Sequence, residues 1–167
     1  KKILTKKNDL KIKTGSNINI IAISAKNLKK KKNLKFKKNI FFKNAIDIAN
    51  NKNVNILIEL IGLSDGISKQ VIETALKNKK HVVTANKAII AKHGDYLSKL
   101  AEKNKVNLEF EASVAGGIPI LRTIKESLAT NKISKVYGIL NGTTNYILSE
   151  MENSNETFDK VLQKAQK

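Results

Sequence analysis

Short runs of β-branched residues alternate with segments of helical spacing along most of this chain, and that alternation constrains the fold more than any other feature. Strands joined by crossover helices make βαβ units, which assemble into a mostly parallel sheet. Ile18 to Ser24 (INIIAIS), Val54 to Ile61 (VNILIELI), His81 to Ala85 (HVVTA), Val106 to Ala112 (VNLEFEA) and Lys132 to Leu140 (KISKVYGIL) read as strands. Between the second and third, Ile67, Val71, Ile72, Ala75 and Leu76 recur at helical spacing, with Ser64 as a cap. Lys87 to Lys105 is helical again, interrupted near Gly94, with Leu97, Leu100 and Ala101 on one face. Ile118 to Ala129 reads as a helix with Pro119 in its first turn. Asn141 to Thr144 is a turn leading into further helix, and the chain closes with a polar-faced helix. The fold class is α/β.

One expected part is missing. A dinucleotide-binding sheet opens with a strand and a Gly-rich turn at a helix N-terminus, where the pyrophosphate sits. No GxGxxG occurs here, and Lys1 to Lys13 read instead as the end of a helix running into the turn Thr14-Gly15-Ser16. The chain reads as though it begins after such a loop.

Composition narrows the function classes. The net charge of +18 invites a nucleic-acid partner, but of 32 Lys and Arg residues only Arg122 is an arginine. Phosphate and base readout favour the bidentate guanidinium, and aromatic residues at 5% leave few stacking platforms. Nucleic-acid binding is therefore not the expected main function, and the Lys-rich run from Lys26 to Asn39 reads as a solvated loop or linker. The absence of cysteine excludes a disulfide framework and Cys-ligated metals. No apolar run approaches the ~20 residues that span a bilayer, and the N-terminus lacks the apolar stretch of a signal peptide. A cytoplasmic protein without a membrane partner is the expectation.

Open α/β sheets bind ligands beyond the carboxyl ends of their strands. Three segments fall there: Ile61 to Gly66 (IGLSDG), Thr84 to Lys87 (TANK) and Asn141 to Thr144 (NGTT). Lys87 directly follows a buried strand, so it reads either as an amine that polarises a carbonyl or holds a carboxylate, or as one more surface lysine. The NGTT segment is either a tight turn and helix cap, or a source of backbone amides and the Thr143 hydroxyl for a substrate. In EASVAGGIPI, Glu111 to Ile120, one carboxylate precedes a run almost bare of side chains. That loop is either a hard-cation site built from main-chain oxygens or a connection whose glycines permit a bend. His81 and His93 have no partner at metal-ligand spacing and read as structural or exposed.

Taken in series, VNILIELIG, HVVTANKAIIAKHG, EASVAGGIPILRTIKESLA and KISKVYGILNGTTNYILSEM resemble the homoserine dehydrogenase family over about Val54 to Met151. The resemblance implies a Rossmann-like parallel sheet lacking its first strand, followed by the start of an α+β catalytic and dimerisation domain. Residues 1–108 would then be a partial NAD(P)-binding domain and 109–167 the beginning of the catalytic domain. It also implies an oxidoreductase that interconverts L-homoserine and L-aspartate 4-semialdehyde, on the branch to threonine, methionine and isoleucine. The small-molecule substrate, an NADP or NAD cofactor, a monovalent cation (sodium) and a homodimeric full-length enzyme are implied with it. By the same resemblance Lys87 is catalytic, and Gly62, Leu63, Thr84, Asn86 and Lys87 lie at the cofactor. Gly142 and Thr143 meet the substrate, and Glu111, Val114, Gly116 and Ile118 hold the cation. Leu63 departs from the family, which commonly has a second glycine there. The family's substrate-binding acidic residues and its proton-donating second lysine fall beyond Lys167, so the chain is expected to be a fragment, inactive alone. The strand INIIAIS ends without the acidic residue that binds a ribose 2′-hydroxyl, and Lys26 and Lys29 follow it; these lysines either pair with a 2′-phosphate, favouring NADP over NAD, or simply reflect a chain rich in lysine throughout.

Overall fold

The computed structural model describes residues 2–26, 38–139 and 141–166. The chain divides into two compact units, Lys1–Ser113 and Val114–Lys167. The Lys-rich run falls almost entirely outside the described residues, and Lys29 with it.

In the first unit two short helices, α1 (Lys2–Thr5) and α2 (Lys7–Thr14), lead to Gly15, whose left-handed backbone ends α2. The elements β1 (Ile23–Ser24), β2 (Phe41–Phe42), α3 (Ala45–Asn50), β3 (Ile56–Glu59), α4 (Ile67–Lys77), β4 (His81–Thr84), α5 (Lys87–Lys103) and β5 (Leu108–Glu109) follow. All pairing among them is parallel. A two-stranded sheet joins β1 to β2, and a three-stranded sheet runs β3-β4-β5 with β4 central. The parallel α/β expectation therefore holds, while the strands are shorter than the apolar runs: Ile18 to Ser24 contributes only Ile23–Ser24, and Val106 to Ala112 only Leu108–Glu109.

Alternation in β3 and β4 sets which face is buried. Leu57 and Glu59 point inward from β3, Val82 and Thr84 from β4 and Leu108 from β5, whereas Ile56 and Ile58 are exposed. The register places Leu57 beside Val82 and Glu59 beside Thr84. Onto the inner face pack Val71, Ile72, Ala75 and Leu76 of α4 and Ile89, Leu97 and Ala101 of α5. Each fully buried aliphatic chain contributes roughly 1.5–3 kcal/mol relative to exposure. Gly94 does not interrupt α5. A glycine there costs about 1 kcal/mol, less than the burial on either side of it supplies, and a Cβ would stand 3.3 Å from Cγ2 of Ile90. Ser64 does not cap α4: the capping position is Gly66, and the Ser64 hydroxyl bonds the Asp65 carboxylate instead.

Both crossover helices end alike. Lys79 and Lys105 adopt left-handed backbone (φ 56°). The amide after each closes back on the helix, Lys80 N–H to the Ala75 carbonyl at 2.9 Å and Val106 N–H to the Ala101 carbonyl at 3.1 Å. This is the helix-ending turn for which glycine is the usual residue.

The second unit is helical. A 3₁₀ turn at Ala115–Gly117 leads to α6 (Ile120–Arg122), which widens into a π-turn at Thr123–Ser127. The regular helix expected from Ile118 to Ala129 is thus corrected. Pro119 stands before the first helical residue, and the Thr123 hydroxyl donates to the Pro119 carbonyl at 2.7 Å. No strand forms in residues 132–139, against expectation. Among the described residues nothing pairs with that segment, and a lone strand leaves its amides and carbonyls without partners. Leu140 lies outside the described residues. Finally α7 (Gly142–Ser154) and α8 (Phe158–Ala165) pack together, with Ile147 and Val161 buried.

Candidate functional site

At the carboxyl end of the three-stranded sheet, the side chain that organises the first unit's loops is Glu59. The last residue of β3, it is only 2% exposed. Its Oε1 accepts the amide of Ile61 at 2.6 Å, the amide of Gly62 at 3.3 Å and the Ser68 hydroxyl at 3.2 Å. The Asn86 side-chain amide approaches the same oxygen at 3.5 Å, while Oε2 accepts the Thr84 hydroxyl at 2.7 Å. A buried carboxyl group is tolerated when donors surround it in this way. Sequence reading passed over Glu59, although a single acid inside the apolar run ILIEL was a usable signal.

Asn86 extends the network. Its Oδ1 accepts the amide of Ile89 at 3.2 Å and so caps α5, its Nδ2 donates to the Leu63 carbonyl at 2.8 Å, and its amide donates to the Thr84 hydroxyl at 3.0 Å. The loop after β3 is therefore bonded to the turn after β4. Gly62, Leu63, Thr84 and Asn86 belong to one hydrogen-bonded cluster, and Lys87 follows it directly. Gly62 has φ 87°, a backbone that disfavours any side chain, and Leu63 is exposed.

Lys87 is the first residue of α5 and is exposed. Its ammonium forms no hydrogen bond or ion pair among the described residues. A lysine at a helix N-terminus faces the positive end of the helix dipole, so the position is not one that stability selects for lysine.

Further along the loop, Asp65 is gripped from α5 by Lys92 at 2.6 Å and by His93 at 2.9 Å. Lys92 first, then His93 and the Ser64 hydroxyl, hold the Asp65 carboxyl well below the usual carboxylate range. His93 therefore has a structural partner, and His81 accepts the amide of Asn107 at 3.1 Å. Lys80 is buried with its ammonium on the carbonyls of Asn51 and Val54, at 2.7 and 2.8 Å, and burial lowers its pKa.

In the second unit Asn141 caps α7, its Oδ1 accepting the amide of Thr144 at 2.9 Å. The turn-and-cap reading of NGTT thus describes its local structure. Gly142 and Thr143 occupy the first helical positions, are exposed, and have first-turn amides with no partner inside the helix. Of the four positions in the EASVAGGIPI loop, Glu111 belongs to the first unit and Val114, Gly116 and Ile118 to the second. Gly116 is left-handed (φ 59°), and the Ile118 carbonyl already accepts the Ile120 amide at 2.8 Å. Hard carbonyl and carboxylate oxygens are the right chemistry for an alkali cation. No cluster of three His, Cys, Asp or Glu suited to a metal occurs among the described residues, and no described helix is long and apolar enough to cross a membrane.

A parallel α/β sheet, with a glycine loop and a polar turn bonded together past its carboxyl edge, defines a nucleotide-binding type of protein. Comparison makes this specific. The family description "Homoserine dehydrogenase, NAD binding domain" matches residues 2–111, and "Homoserine dehydrogenase" matches residues 119–167. The homoserine dehydrogenase of Bacillus subtilis is 41% identical over 152 residues, covering 91% of this chain and 35% of that protein. That of Neisseria gonorrhoeae is 46% identical over 120 residues, covering 72% and 27%. The crystal structure of a homoserine dehydrogenase from Thiobacillus denitrificans superposes with a TM-score of 0.79 at 36% identity, covering 98% of this chain and 38% of that one. This chain belongs to the homoserine dehydrogenase family, a family of oxidoreductases with a nicotinamide-cofactor domain. It spans about a third of the length of the relatives it matches.

Proposed function

We propose that, in the full-length protein, residues 1–108 supply most of the dinucleotide-binding domain and residues 109–167 begin the catalytic domain of an enzyme that interconverts L-homoserine and L-aspartate 4-semialdehyde. The observation that carries this reading is Lys87, exposed and uncommitted at the carboxyl end of the central strand, beside a turn bonded to the loop after β3. The residues present fit a nicotinamide dinucleotide. Ile61 and Leu63 are exposed apolar side chains on a loop whose backbone is held from below, and Gly62 has open space where a Cβ would be. When bound, that cofactor supplies the hydride acceptor. The exposed Gly62 and Leu63 meet it, the buried Thr84 and Asn86 hold that seat in place from beneath, and the Lys87 ammonium orients the substrate and stabilises negative charge on the reacting oxygen. Gly142 and Thr143 offer amides and a hydroxyl to the substrate's polar groups.

NADP is the preferred cofactor, because β1 ends in Ser24 with no acid following and Lys26 is available to a 2′-phosphate. Sodium is the cation for the oxygens of Glu111, Val114, Gly116 and Ile118. The working enzyme is a cytoplasmic homodimer that serves the synthesis of threonine, methionine and isoleucine. The test is steady-state kinetics of the full-length protein with L-homoserine and each cofactor. The expected result is turnover with a higher kcat/KM for NADP, and a clear preference for NAD rejects the cofactor assignment.

A further inference from the structure

Glu59 is a costly residue for the place it occupies. An apolar residue would fill an inward position of β3 at lower cost, as Leu57 does two residues earlier. The carboxyl group instead collects five donors, and three of them belong to the connections beyond the strands rather than to the core: the amides of Ile61 and Gly62 and the side chain of Asn86. The fourth, Thr84, sits opposite Glu59 in register and passes the constraint to the Asn86 amide, while Ser68 ties in the first turn of α4. Every partner is a neutral donor, so the group is not half of an ion pair. Ile61 and Gly62 are themselves exposed, yet their amides are fastened to a buried oxygen.

We infer that Glu59 is a positioning residue for the dinucleotide: one buried carboxyl group fixes the Ile61–Leu63 loop and the Thr84–Asn86 turn relative to each other, and so sets the cofactor seat and the start of the helix that carries Lys87. This rests on the dehydrogenase reading above. Nothing in it requires Glu59 to touch cofactor or substrate.

The test compares Glu59→Ala with Glu59→Gln in the full-length protein, using NADPH binding followed by its fluorescence, turnover of L-homoserine and thermal unfolding. Glu59→Ala removes both acceptors, whereas Glu59→Gln keeps one oxygen for the loop amides. The expected result, read well below either variant's Tm, is an NADPH Kd raised at least about tenfold in Glu59→Ala and brought back to within about threefold of wild type in Glu59→Gln. A purely structural role would lower Tm in both and leave Kd unmoved, and that outcome overturns the inference. Should Glu59→Ala not fold, amide exchange in the wild-type protein decides. Exchange at Ile61 and Gly62 that is slower than at Leu63, and slower still with NADPH bound, supports the assignment; exchange at the Leu63 rate overturns it. A wild-type protein that binds NADPH and yet does not oxidise homoserine defeats the proposed reaction while the Kd comparison still judges Glu59. A wild-type protein that binds no NADPH overturns both.

Discussion

Replacing Lys87 by methionine should move activity and stability in opposite directions. The stem's bulk is kept and the charge removed. Because Lys87 is the first residue of the 17-residue helix α5 and is exposed, its ammonium opposes the helix dipole without compensation from a partner. Such an end charge is worth about 0.3–1 kcal/mol at low salt. For 150–250 residues about 1 kcal/mol corresponds to roughly 2–4 °C in Tm, and to less in a longer protein. The variant should therefore melt at the wild-type temperature or slightly above it. A catalytic amine typically contributes ~10²–10⁴-fold, equivalent to about 3–5 kcal/mol of transition-state stabilisation. The assay is NADP reduction at varied L-homoserine in the full-length protein, beside thermal unfolding of the same samples. The loss should fall on kcat if the ammonium acts in the transition state and on KM if it only holds the substrate. Lys103→Met is the matched control, since Lys103 is an exposed lysine in the last turn of the same helix, where a positive charge is favourable. It should leave kcat/KM unchanged and lower Tm slightly. Lys92 would make a poor control because it pairs with Asp65. A Lys87→Met protein with kcat/KM within about threefold of wild type refutes the assignment.

Other outcomes follow from the same structure. Leu76, fully buried between α4 and the sheet, should cost about 2.7–5 kcal/mol as Leu76→Ala, read as a lower urea midpoint with an unchanged slope. Lys105→Gly should raise stability by up to about 1 kcal/mol, because the left-handed turn after α5 strains any side chain; a fall in Tm would show that the lysine side chain contributes more than its backbone costs. The Asp65 carboxyl is held below its unfolded value of about 3.9, so its contribution is complete above that pH and is lost as pH falls toward the lowered folded value. Asp65→Asn should accordingly lower stability at neutral pH and flatten the acid limb of the Tm–pH curve below about pH 4, and parallel curves for the two proteins would contradict this.

The parts of the fold that could be read from residue order are those where one face repeats. Leu57, Val82 and Leu108 alternate with outward residues, and Val71, Ile72, Ala75 and Leu76 keep helical spacing, so both sheet and crossovers were legible. Apolar runs misled where no pairing partner stands among the described residues, as in residues 132–139, and where a single glycine, Gly94, was outweighed by burial around it. Lys79 and Lys105 gave no sign of ending helices because the turn they make is normally signalled by glycine. The site divides in the same way. TANK and IGLSDG sit where strand ends place them, but they are joined both directly, by Asn86 to the Leu63 carbonyl, and through Glu59, whose partnership with Thr84 depends on a register between residues far apart in the chain.

Reduction of NADP by L-homoserine, followed as absorbance of the reduced cofactor with the full-length protein, decides whether Lys87 serves a dehydrogenase site. The expected result is homoserine-dependent turnover, on the order of 1–10³ per second, that falls at least a hundredfold in Lys87→Met. A folded, NADPH-binding protein showing no more reduction than the no-enzyme control would contradict it.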